Sequence, residues 1–285
     1  MRLAVLFIFW IALVWPLYCA AEDTDDLIEV LSTGHMNWTR SVIIAKGSAS
    51  IQNASQSAEI PEDLASIGRQ DAKANILRAL GEVRIDAYRH LSAIFAENQT
   101  IAARVAEMVE VADMAHKKQL SDGSFEITMQ FSLLGGFSQL ILPQEIEQVE
   151  SIKAINNPLA AQKDPSSPTR DADGYSGLIV DARGIDARPA LVPVLVDESG
   201  KEVYSPAFVS REYAVQKGIC KYTRSMEGVE QSPRVMPKPL LIKGLHTMGQ
   251  HDCNIVISNA DAFKLRDAST NLHFLKQCRV IIVLD

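Results

Sequence analysis

Two near-copies of one tripeptide, Asp181-Ala182-Arg183 and Asp186-Ala187-Arg188, stand within the stretch YSGLIVDARGIDARPALVPVLVDESGKEVY, Tyr175 to Tyr204. Two guanidinium groups beside two carboxylates could hold a carboxylate- or phosphate-bearing ligand, because arginine presents a planar fork of donors. The same residues also suit a tight corner. Gly184 tolerates backbone angles that are costly elsewhere, Pro189 pushes Arg188 into an extended conformation, and the charges would pair across the turn. Charge clusters also arise in purely structural networks, so the corner reading takes precedence. Asp181, Arg183, Asp186 and Arg188 stand as the ligand-binding candidates.

A second group, His246, His251 and Cys253 in HTMGQHDC, contains ligands suited to a borderline metal, but its spacing matches no standard zinc motif. It reads as a solvated strand-to-strand turn at Gly249, and no metal or other cofactor is expected. Cys253 opens the run CNIVIS and Cys278 opens CRVIIVLD, with a helix between them. Parallel strands joined by a helical crossover begin at the same end of a sheet. Cys253 and Cys278 are therefore a candidate disulfide, with two reduced, buried thiols as the alternative. Cys220 is left unpaired or bridges to another chain.

No phosphate loop, dinucleotide fingerprint, nucleophile elbow or paired-histidine metalloprotease helix is present in the sequence. Catalytic residues: none are expected, and the reading is of a protein that is not an enzyme. Met108, Met114 and Met129 read as core filler. Glu145, Glu147 and Glu150 read as the acidic face of a solvated helix, and Trp38 as an anchor whose indole needs a hydrogen-bond partner.

The elements around these residues divide in two. WTRSVIIAKGSA, from Trp38, suits a strand. Leu64, Ile67, Ala72, Ile76, Leu77 and Leu80 recur at helical spacing after Pro61. Asp86 to Met108 is helical with an interruption at Asn98-Gln99-Thr100, and the SDGS turn before FEITMQFSL signals a hairpin. Pro143 to Asp173, rich in Pro, Ser, Ala and Asp, reads as a helical start followed by a mobile linker. Beyond it, GLIVDAR, ALVPVLVD, PLLIKGL, CNIVIS and CRVIIVL supply strands, with helices at Arg211 to Lys217 and from Asn259 to about Leu275. The expected fold is α+β: two small α/β modules, a strand-helix-hairpin module at 22–142 and a mixed-sheet module at 176–285, joined by a flexible linker at 143–175.

Ahead of them, Met1-Arg2, an apolar run from Leu3 to Tyr18 and Cys19-Ala20-Ala21 before acidic residues form the parts of a secretory signal peptide. Cleavage after Ala21 and export are expected, with an uncleaved anchor as the alternative. Tyr18 and Pro16 depart from the pattern for lipidation at Cys19. The formal charge of −7 becomes about −8 once Arg2 leaves, which argues against nucleic acid as a partner.

MNWTRSVIIAKGSA, then GRQDAKANILRALGEVRID, then SDGSFEITMQFSLLGG, resembles the amino-terminal module of exported bacterial proteins grouped with 20-kilodalton lipoproteins and with flagellar assembly protein T. The Tyr175 to Tyr204 stretch with NADAFKLRDASTNLHFLKQCRVIIVLD looks like the module often attached to it. The resemblance implies a periplasmic or outer-membrane-associated protein of the Gram-negative envelope, and the expected role is that of a non-catalytic assembly or scaffold component. Its partners would be envelope or flagellar-associated proteins, or a second copy of the chain. It brings no catalytic residues, and the missing lipidation pattern departs from its lipoprotein members.

Overall fold

The computed structural model describes residues 25–50, 62–144, 146, 174–267 and 269–285. The expected signal peptide, most of the expected linker, and Glu145, Glu147 and Glu150 lie outside the described residues.

The first module carries a five-stranded antiparallel sheet in the order β1-β2-β3-β5-β4, from Ile28–Leu31, Gly34–Asn37, Val42–Ala49, Phe125–Ser132 and Asp113–Gln119 respectively. Alternation decides which face is buried. Phe125, Ile127, Met129 and Phe131 of β5 and Ile43, Ala45 and Ala49 of β3 point inward, while their neighbours stay accessible. Each large side chain so buried contributes about 1.5–3 kcal/mol relative to exposure.

Helix α1, Glu62–Glu82, lies on that inner face. Its buried residues include Ala65, Ala72, Ile76, Ala79 and Leu80. The small ones let the backbones meet: a Cβ on Gly47 would stand 2.1 Å from the Gly68 carbonyl oxygen and 2.2 Å from the Ala72 nitrogen. Helices α2, Leu91–Glu97, and α3, Gln99–Glu110, meet at Asn98, whose side chain accepts from the backbone N–H of Thr100 and Ile101 at 3.1 Å each. The interruption in the helical pattern is thus an N-cap. A short helix, α4, Gly136–Ile141, closes the module.

The second module carries a seven-stranded mixed sheet in the order β8-β7-β11-β10-β6-β12-β9. In chain order its strands are β6 Gly177–Asp181, β7 Leu195–Asp197, β8 Glu202–Tyr204, β9 Lys221–Thr223, β10 Pro239–Met248, β11 Asn254–Ile257 and β12 Val280–Val283. Its helices are α5 Arg211–Lys217, α6 Asn259–Asp267 and α7 Ser269–Lys276. The central strands β6 and β12 are buried on both faces, which is why they read as unbroken apolar runs. Leu178, Val180 and Ile282 enter the main core, whereas Ile179, Ile281 and Val283 pack against Val229 and Val235 on the other side.

Two expectations are corrected. β11 pairs antiparallel with β10, while β10, β6 and β12 run parallel to one another. β11 and β12 therefore run in opposite directions with two strands between them. Cys253 and Cys278 begin at opposite ends, three strand spacings or roughly 14 Å apart across the sheet, far beyond disulfide reach. Both are free and buried, as is Cys220. Met114, expected in the core, is exposed on β4, where the helices do not cover the sheet.

Candidate functional site

The linker is not all that connects the modules, because one apolar core runs through both. Arg84, in the turn after α1, sits at its polar seam with a side chain only 5% exposed. Its Nη1 donates to Glu29 Oε1 at 2.8 Å, its Nη2 to Glu29 Oε2, and its Nε to the Pro189 carbonyl of the second module at 2.9 Å. Trp38 Nε1 donates to the same Glu29 carboxylate at 2.9 Å, and the Trp38 ring meets Tyr222 edge-on with centroids 5.9 Å apart. The Tyr222 hydroxyl in turn donates to the Ala190 carbonyl at 2.8 Å.

Burial works against ionisation of Glu29, but the hydrogen bonds and charge of Arg84, with help from Trp38 and Arg188, outweigh it and hold the carboxyl below its ordinary range. Backbone bonds extend the seam. Leu191 and Val192 N–H donate to the Arg84 and Ile85 carbonyls at 3.0 and 2.7 Å, and His251 N–H donates to that of Ala87 at 3.0 Å. On the other flank Arg211 donates to the carbonyls of Pro143 and Gln139 at 2.8 and 2.7 Å. The two modules are therefore locked by buried, directional bonds as well as by apolar contact.

The four charged residues of the repeated tripeptide do not converge. Asp181 accepts from Arg183 Nε at 2.8 Å and Nη2 at 2.9 Å, and this hydrogen bonding lowers the Asp181 pKa. Gly184, at φ +76°, donates its N–H to Asp285 Oδ2 at 2.7 Å, and Asp186 takes a left-handed φ of +55°. Arg188 points instead to Glu29, 3.8 Å away. The tripeptides form a corner whose first pair is self-satisfied and whose last arginine serves the joint. His251 stacks edge-on against His90 at 4.4 Å across the two modules, and Cys253 Sγ donates to the His251 carbonyl at 3.1 Å.

The surface best suited to a macromolecular partner is β4. Among the described residues it pairs with β5 on one side only, and all seven of its residues are exposed. Its outer backbone groups, unpaired among the described residues, suit another strand. A register shift between Met114 and His116, together with Lys117 and Lys118, restricts which strand can pair there.

Trp38 reads from the sequence as an anchor needing a partner, whereas Glu29 and Arg84 carry no such mark. Their bond spans 55 positions, and no local pattern marks either residue. The hairpin signal located β4, but nothing in DMAHKKQ shows that its strand lies at a sheet edge.

These features define an α+β protein of two docked modules. Residues 177–285 match the family model described as the second domain of Treponema pallidum Tp0624. The matched segment starts at the first residue of β6 and takes in the whole seven-stranded sheet, so the likeness belongs to the second module and leaves Glu29, Arg84 and β4 outside it. No curated protein matches the chain.

Proposed function

We propose that this chain is a non-catalytic periplasmic component of the bacterial envelope, a rigid adaptor in an assembly, which recruits a partner by strand addition at β4. The carrying observation is that β4 is an edge strand exposed along its whole length. The locked joint supports the same reading, since a rigid body transmits position between a partner on one module and a partner on the other. The leader-like first residues and the resemblance to lipoprotein-like and flagellar assembly proteins support export and an envelope or flagellar setting.

Lys117 and Lys118 favour a partner strand carrying carboxylates opposite them. The alternative reading, a ligand-binding or hydrolytic protein built on Asp181, Arg183 and Arg188, is disfavoured by the way those side chains pair off. Photocrosslinking from position 117 in intact cells tests the proposal. An adduct with an envelope protein is expected, and loss of that adduct when Lys118 is also changed to Glu would tie it to the edge.

A further inference from the structure

Beside the end of α5, an open hollow of about 370 Å³ is lined by Lys217, Lys221, Ser232, Arg234, Gln277 and Arg279. Four of these are cations, and among the described residues no carboxylate lines the hollow. In a chain of net charge −7 this is a local reversal of sign. Arg234 is fixed by donating from Nη1 to the Lys217 carbonyl and from Nη2 to the Gly218 carbonyl, each at 2.7 Å. Arg279 Nη2 donates to the Met236 carbonyl. Carbonyl partners orient a guanidinium but leave its charge unneutralised.

Two further observations point to a missing acceptor. The Nε atoms of Arg234 and Arg279 are buried and, among the described residues, donate to nothing. Orphaned donors of this kind are uncommon in folded proteins and call for an explanation. Lys217 rests its ammonium over the Tyr213 ring at 5.4 Å, and neither Lys217 nor Lys221 makes an ion pair among the described residues. A concave site lined by one sign of charge concentrates counter-ions.

We propose that this hollow binds an oxyanion, specifically a compact phosphate-bearing ligand, either a soluble phosphate compound or a phospholipid headgroup. The volume falls in the range of small-molecule sites, and a phosphate dianion matches clustered arginine and lysine. Beyond Lys221, a neighbouring groove carries Asp25, Asp26 and Glu227, with Asp26 held by Arg40 at 2.8 Å. Those carboxylates would repel a long polyanion, so the ligand is short. A turn of the Arg279 side chain toward the bound oxygens would give its orphaned Nε an acceptor.

The test is calorimetric titration of the purified protein with inorganic pyrophosphate at low salt, alongside sedimentation with vesicles of phosphatidylglycerol and phosphatidylcholine. The variant K217Q/K221Q removes two charges that hold no backbone group by their ammonium, so its melting temperature should match that of the parent. Saturable pyrophosphate binding, weakened at least tenfold in the variant, supports a soluble ligand. Vesicle binding alone, lost in the variant and absent with pure phosphatidylcholine, supports a headgroup. No binding to either probe, or binding unchanged in the folded variant, overturns the proposal.

Discussion

Arg84 grips Glu29 through both Nη atoms while its Nε reaches the Pro189 carbonyl in the other module. One guanidinium therefore joins β1, the turn after α1 and the corner that follows the repeated tripeptide. Removing it leaves a half-buried carboxylate, an indole-bonded network and a buried carbonyl short of a donor. Arg84→Ala should lower stability by about 3 kcal/mol, as for other broken buried pairs, read as a shift in the urea midpoint. Arg84→Lys should recover little, because an ammonium cannot reproduce the fork. Arg183→Ala, which removes only the exposed pair with Asp181, should leave the urea midpoint close to that of the parent.

The same joint should weaken in acid. Burial, with the nearby His251 and Arg84, depresses the pKa of His90, and Glu29 is also depressed. A depressed pKa contributes stability that is present above the unfolded value and lost as pH falls through the folded one. Loss should therefore begin below the ordinary histidine range, near pH 6.5, and steepen below about pH 4.5 as Glu29 protonates. Thermal melts across this range should show both phases, and His90→Gln should reduce the first, to which His35, depressed by its own burial, also contributes, while leaving the second.

The cysteines give a signal of opposite sign. Burial pushes Cys220 up to about 12, and Cys253 and Cys278 up to about 11. A raised thiol pKa contributes stability below the unfolded value, near 9, and that stability is lost as pH rises toward the folded value. Alkaline melts should thus fall progressively above about pH 9. All three thiols should resist alkylation in the native protein, and each should be alkylated in denaturant without reductant. Recovery of a Cys253–Cys278 disulfide peptide would contradict the antiparallel placement of β11 and β12.

Much of this architecture was legible because local chemistry decided it. Alternation in FEITMQFS, the SDGS turn, the Asn98 break and the Arg211 to Lys217 helix all correspond to structural elements. Strand direction was not legible. CNIVIS and CRVIIVL look alike as apolar runs, and only their neighbours in the sheet decide that they oppose each other. The corner reading of Asp181 and Arg183 rested on short-range pairing and survived for that reason. Arg188 was grouped with them by sequence, but its partner Glu29 lies in the other module.

Close approach of β3 and α1 makes Gly47 the least replaceable glycine in the first module. Gly47→Ala would place a methyl group 2.1 Å from the Gly68 oxygen, so helix and sheet must separate. The expected cost is above about 3 kcal/mol, within the range of severe core overpacking, with little folded protein recovered. Gly123→Ala, with nothing within 4 Å of its added Cβ, meets only its positive φ of +84° and should cost about 1 kcal/mol. Parallel expression and urea melts would separate the two effects.

On this proposal a partner joins the pair of docked modules at β4. The most direct measurement places a photocrosslinking residue at position 117 on β4 and, as a control, at the exposed position 107 on α3. After irradiation of intact cells, adducts are identified by mass spectrometry. An adduct with an envelope protein is expected from position 117, absent from position 107 and abolished when Lys118 is also changed to Glu. Equal adducts from both positions, or none from position 117, would contradict it.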